Sequence, residues 1–106
     1  MAWIILVIAG LLEVVWAYFM KQSEGFMRLW PSVVTLSAML GSFALLSWSM
    51  RVLPLGTAYT VWTGIGAVGA FALGVMFLGE SLNLMRLTAA LLILAGLVLM
   101  RISATS

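Results

Sequence analysis

Four apolar runs, at roughly 2–20, 31–50, 55–78 and 86–102, take up most of a 106-residue chain. Each is close to the ~20 residues that cross a hydrocarbon core of ~30 Å. The breaks between them are short: Lys21–Arg28, Arg51–Gly56 and Gly79–Arg86. A soluble chain of this length has too little interior to hide that much apolar surface. Disorder is excluded too, because it needs low hydrophobicity and 65% of the residues are hydrophobic. In lipid every backbone polar group must be paired internally, which leaves helices or a closed barrel. The runs are continuous rather than alternating, so four helices are expected. Pro31 suits the first turn of the second helix, where its missing N–H is not needed. Trp3, Trp30 and Trp48 lie near run ends, as interfacial anchors do.

The first run is too long for a cleaved signal, and no basic segment precedes it. No internal repeat or soluble segment is evident, and the expected organisation is a single membrane domain over 1–106. Four crossings put both termini and the second loop on one side, with Arg51 and Arg101. The other side holds Lys21, Arg28 and Arg86. The α-amino group offsets the small difference, so the positive-inside rule gives almost no instruction. Insertion in both orientations is the sharper expectation; a weak signal in a small protein is the plainer one.

Composition removes most chemistry. There is no Cys and no His, so thiolate nucleophiles, disulfides and a histidine base are absent. Glu13, Glu24 and Glu80 are the only acids and too scattered to cage a metal. Five basic residues spread along the chain make no nucleic-acid patch. Neither an enzyme nor a cofactor is expected.

Glu13 is the exception. It lies about ten residues into the first run, roughly 15 Å deep at 1.5 Å per residue. An acid at mid-membrane costs about 2.5–3.5 kcal/mol on insertion scales. Such residues face a bundle interior or wet cavity and mark ion or substrate paths. The plainer alternative is a protonated carboxyl that bonds a neighbouring helix. Ala9, Gly10, Trp16 and Ala17 share its helix face. Three small residues and one indole make a recess suited to a flat cation, or simply allow helices to pack closely.

The third run places Tyr59, Trp62, Thr63 and Gly66 on one stripe. Tyr59 and Trp62 lie about 6–11 Å deep, and Ser42 of the second run about 12 Å, from the same membrane side. Glu13, Ser42, Tyr59 and Trp62 therefore fall in one layer. Tyr and Ser hydroxyls and the Trp N–H can donate to a carboxylate, and indole faces attract cations. Burial and hydrogen bonding act oppositely on a carboxyl proton, a balance suited to proton exchange. The glycine-rich stretch Gly64–Ala70 and Gly74 permit close helix approach or a kink. The fourth run offers only a packing surface, for which self-association is the plain expectation. Two copies inserted oppositely would supply the inverted symmetry that many transporters carry in one chain. Two Glu13 carboxyls would then share one midplane site, where cation and protons compete.

The stretch Met1–Ala17, with Gly10-Leu11-Leu12-Glu13-Val14-Val15-Trp16, closely resembles the small multidrug resistance transporters. Gly56–Gly69, with Gly25-Phe26, Pro31-Ser32, Leu53-Pro54 and Gly79-Glu80-Ser81, is similar to their guanidinium-exporting branch. The resemblance implies an all-α antiparallel, dual-topology homodimer in a bacterial inner membrane. It implies proton-coupled export of guanidinium ions by alternating access. By resemblance Glu13 is the shared proton and substrate site, and Trp16 and Tyr59 line the pocket, Tyr59 also as a gate. Ser42 and Trp62 orient the carboxylate, Gly10 leaves room beside it, and the fourth span forms much of the dimer contact. Thr60 and the bulky Tyr18-Phe19-Met20 depart from the branch's pattern. A broad exporter of quaternary ammonium and aromatic cations, a small dimeric channel and a non-transporting packing subunit remain as alternatives.

Overall fold

The structure is a computed structural model and describes residues 1–103. It contains four helices: α1 (Ala2–Gln22), α2 (Leu29–Ser49), α3 (Leu55–Phe77) and α4 (Leu84–Ser103). All four are long and apolar enough to cross a membrane, and among the described residues there is no strand. Each expected run matches one helix to within two residues at either end.

The small differences have local causes. α2 begins at Leu29, so Pro31 is its third residue. The first four N–H groups of a helix have no partner inside it, so proline is tolerated there as well as at the first position. α4 begins at Leu84 because Asn83 caps it: the Arg86 N–H donates to Asn83 Oδ1 at 2.9 Å. Between α1 and α2 the chain passes through three left-handed residues, Glu24 (φ 53°), Gly25 (φ 72°) and Phe26 (φ 68°). Such a run is costly for Phe. The Ser23 hydroxyl holds it, donating to the Met20 carbonyl at 2.6 Å and accepting from the Phe26 N–H at 3.0 Å.

α1 is the central helix. It packs along both α2 and α3, which approach each other only locally, where Trp62 meets Ser42 and Phe43. α4 packs its backbone on α3 alone. The helices thus lie side by side in the order α2, α1, α3, α4, and the Cα atoms fill a slab of 45 × 35 × 16 Å. At 1.5 Å per residue the helices are each about 30–35 Å long, enough to cross a hydrocarbon core of ~30 Å. The short dimension of the slab is about a third of the long one, so the helices form a flattened bundle.

The core is correspondingly small. Leu6 and Ala9 of α1, Leu46 of α2, and Ala58, Val61 and Trp62 of α3 are its buried apolar residues. α4 buries none of its residues. Polar side chains inside the slab turn to the backbone, as the absence of water demands. Thr35 donates to the Pro31 carbonyl and Ser49 to that of Leu46, both at 2.7 Å. At the far end of α3, Arg86 ties the hairpin to α4. Its guanidinium pairs with Glu80 at 2.9 Å and lies over the Phe71 ring at 5.1 Å.

Candidate functional site: a carboxyl group between two helices

Leu6, Ala9 and Gly10 form the buried stripe of α1. Glu13 continues it one turn on, because residues three and four apart share a helix face. The stripe meets α3 where α3 has glycines. A methyl group at Gly10 would fall 2.7 Å from Ile65 Cγ2, and one at Gly66 would overlap the Glu13 carboxyl group. Gly69 does the same for Val14. The α1–α3 seam is therefore a ladder in which a side chain from one helix occupies the gap left by glycine on the other.

Two of the expected roles change in this light. The room beside Glu13 is made by Gly66, whereas Gly10 makes room for Ile65. Ser42 and Trp62 do not bond to the carboxyl group. The Trp62 Nε1–H donates to Ser42 Oγ at 2.9 Å, and Ser42 Oγ donates to the Ala9 carbonyl at 2.7 Å. This chain of bonds joins α3 to α2 and α2 to α1, in the turn of α1 that precedes Glu13. The physical reason is proximity: Ala9 is one helical turn nearer than Glu13, and its carbonyl is a buried acceptor open to a second bond.

The aromatic residues form a row. Tyr59 and Trp62 stand 5.7 Å apart between ring centroids, Trp62 and Phe43 5.8 Å, and Phe43 and Trp16 6.2 Å. These are the tilted and edge-on spacings that aromatic pairs prefer. Phe43 carries no distinguishing mark in the sequence. Its only signal is its place beside Ser42 on α2. Tyr59 closes the row at its outer end, where 52% of its surface is exposed.

Two buried polar atoms have no partner among the described residues: Glu13 Oε1 and Trp16 Nε1. One is an acceptor, the other a donor, and they lie three residues apart on one face. A buried polar atom without a partner costs ~1–3 kcal/mol. The site is thus short of a donor for Glu13 and an acceptor for Trp16. No group of three or more His, Cys, Asp or Glu that could hold a metal occurs among the described residues.

Thr63 is not part of this cluster. It is exposed and lines, with Tyr59, Thr60, Gly64 and Ala67, a groove of about 600 Å³ against Ile93, Gly96 and Leu97 of α4. A helical stripe four positions wide straddles two surfaces here: Trp62 and Gly66 turn to α1, Thr63 toward α4. Thr60 also belongs to the groove.

Removing the indole donor gives a direct check on the Trp62–Ser42 link. Trp62→Phe is expected to lower stability by about 1–3 kcal/mol, from the lost bond and the small void. Ser42 keeps its bond to Ala9, so secondary structure should persist. Thermal melting in detergent, followed by circular dichroism, measures both.

The small multidrug resistance protein family model matches residues 1–94. The guanidinium exporter of Escherichia coli (strain K12) is 60% identical over 103 residues, covering 97% of this chain and 98% of that protein. The guanidinium exporters of Citrobacter freundii and Salmonella typhimurium are each 57% identical with the same coverage. Four apolar helices, a carboxyl group inside the first of them and a match along nearly the whole length place this chain in the small multidrug resistance family.

Proposed function

We propose that this chain is a proton-coupled antiporter that exports guanidinium and related small guanidinyl cations across a bacterial inner membrane. The observation that carries this reading is Glu13 Oε1, buried in a membrane-crossing helix with no donor of its own. Guanidinium is planar and offers paired N–H donors that match a carboxylate. The Trp16–Phe43–Trp62–Tyr59 row begins three residues from Glu13 on the same helix, and aromatic faces attract cations. The guanidinium exporters among the relatives support the choice of cargo.

The mechanism follows from charge. A carboxyl group in lipid is cheapest when neutral or paired. Glu13 is neutral when it holds a proton and paired when it holds the cation. The two occupants exclude one another, and each crossing carries one of them. Ser42 and Trp62 hold the α1–α2–α3 frame that aims the carboxyl group. Trp16 lines the pocket with its indole, and Gly10 sets the approach of α1 to α3. Tyr59, exposed at the end of the row, gates access.

Within one chain Glu13 is only partly buried, so a complete site needs further cover. We read the working unit as a homodimer of antiparallel copies, each a single membrane domain, inserted in both orientations. The face of α4 that lines the groove, with Thr63 and Gly96, forms the contact, because glycine permits close helix approach. Two copies so related would alternate their opening between the two sides.

The test is transport by the purified chain in liposomes. Guanidinium uptake is expected only against outward proton movement, saturating with concentration. Preferential uptake of a bulky aromatic quaternary ammonium would favour the broad exporter. Flux with no opposing proton gradient and no saturation would favour a channel. A topology reporter fused to the C-terminus should report both sides of the membrane. One fixed orientation would remove the dual-topology part of the proposal and leave the chemistry of Glu13 standing.

A further inference from the structure

Arg101 is placed differently from the other arginines at helix ends. Arg86 is engaged internally by Glu80, Ser81 and Phe71, and Arg28 donates to the Gln22 carbonyl at 3.4 Å. The Arg101 guanidinium lies over the Trp3 indole, 4.7 Å from its centroid. Among the described residues it has no carboxylate partner. Stacking uses the face of the guanidinium and leaves its N–H edges open to an acceptor.

Directly beneath, a crevice of about 310 Å³ opens between α1, α3 and α4. Trp3 and Val7 line it from α1, Ile65 from α3, and Leu97 and Val98 from α4. It is almost wholly apolar. Val7 and Val98 are 43% and 57% exposed, so the crevice is open along its outer side. It lies across the α3–α4 contact from the groove assigned above to the second copy, so a dimer built on that groove leaves it facing lipid.

Charge favours one kind of occupant. The edge of the slab formed by the N-terminus of α1, the α2–α3 loop and the C-terminus of α4 carries Arg51 and Arg101. It has no carboxylate among the described residues. Both acidic residues outside the spans, Glu24 and Glu80, lie at the opposite edge. Basic pockets between membrane helices suit anionic lipid headgroups.

We propose that this crevice is a binding site for an anionic phospholipid. The phosphate accepts hydrogen bonds from Arg101, the Trp3 ring holds the guanidinium at headgroup depth, and the upper part of one acyl chain fills the space lined by Val7, Ile65, Leu97 and Val98. The site does not involve Glu13, and its test does not depend on transport.

The full chain, purified in detergent, would be titrated with phosphatidylglycerol or with phosphatidylcholine of the same acyl chains, and retained lipid counted by native mass spectrometry. Phosphatidylglycerol should be preferred by about fivefold or more, which corresponds to ~1 kcal/mol for one cation. Arg101→Gln should remove the preference, Arg101→Lys should keep most of it, and Arg28→Gln should leave it unchanged. Val7→Trp should lower retention of both lipids by filling the crevice while the cation stays in place. Equal retention of the two lipids by the unaltered chain would overturn the proposal. So would an undiminished preference in Arg101→Gln, or displacement of phosphatidylglycerol by millimolar inorganic phosphate, which would mark a simple anion site with no use for the chain.

Discussion

Glu13→Gln should abolish guanidinium transport while leaving the fold intact. The two parts of this expectation have separate causes. Glu13 Oε1 makes no hydrogen bond in the structure, so an amide of the same shape breaks nothing that holds the helices together. Melting in detergent should therefore be unchanged, or slightly raised at a pH where the carboxyl group is ionised, since a neutral amide costs less to bury than a carboxylate. Binding is another matter. A carboxylate accepts two parallel bonds from guanidinium, each to a charged partner and worth about 1.5–3 kcal/mol. An amide accepts at one atom only and has no charge to neutralise. Affinity should fall by roughly 100-fold or more. The second readout is stricter. Adding guanidinium to the unbuffered, solubilised chain should release protons, and the Gln variant should release none. Glu13→Asp should still release them, with an altered pH profile. Proton release that survives in Glu13→Gln would place the exchange elsewhere in the molecule.

Much of this site was legible in the sequence, because the membrane reduces the choices. A run of about 20 apolar residues in lipid must be helical, and the punctuation by Lys21–Arg28, Arg51–Gly56 and Gly79–Arg86 located the turns. Within such a frame, depth can be counted residue by residue. That count put Glu13, Ser42, Tyr59 and Trp62 in one layer, and the structure links three of the helices there through Trp62, Ser42 and the Ala9 carbonyl. The count says nothing about which neighbour a hydroxyl selects. Ser42 reaches a backbone carbonyl one turn before the carboxyl group, and no residue type announces a carbonyl.

Facing was less legible than depth. The apolar and polar faces of a membrane helix differ little, so the side turned to a partner helix must be found from small residues. Gly10, Gly66 and Gly69 all mark the α1–α3 seam, but sequence alone does not say which side chain each one admits. Gly10 lies beside Glu13 on the same helix face, yet its space goes to Ile65. Thr63 illustrates the same limit. It shares a stripe with Trp62 and Gly66, and the stripe divides between two neighbours, α1 and α4. Phe43, which bridges Trp16 and Trp62, had no feature to set it apart from other aromatic residues in an apolar run.

The glycine ladder itself yields the second large effect. Gly66→Ala should impair guanidinium binding without lowering stability, and Gly69→Ala should do the reverse. A Cβ at Gly66 would lie 2.7 Å from Glu13 Cγ and closer still to the carboxyl carbon and Oε1. These atoms are the far end of a flexible side chain, so Glu13 can swing aside at little cost. Alanine is also the better helix former, by about 1 kcal/mol. The melting temperature should hold or rise. The displaced carboxyl group, however, no longer meets the cation in the geometry set by Trp16 and Trp62, and a misplacement of about 1 Å is enough to cost orders of magnitude in a positioned reaction. Affinity should drop by about tenfold or more. A Cβ at Gly69 meets Val14 instead, at 3.1 Å from Cγ1 and 3.2 Å from Cβ, with Cγ2 nearer. Valine in a helix keeps one rotamer, so the helices must separate, at about 1–3 kcal/mol for overpacking. Melting by circular dichroism and guanidinium titration by tryptophan fluorescence, run on both variants, separate the two roles. Loss of stability in Gly66→Ala with unaltered affinity would show that the carboxyl group is held by the seam and not aimed by it.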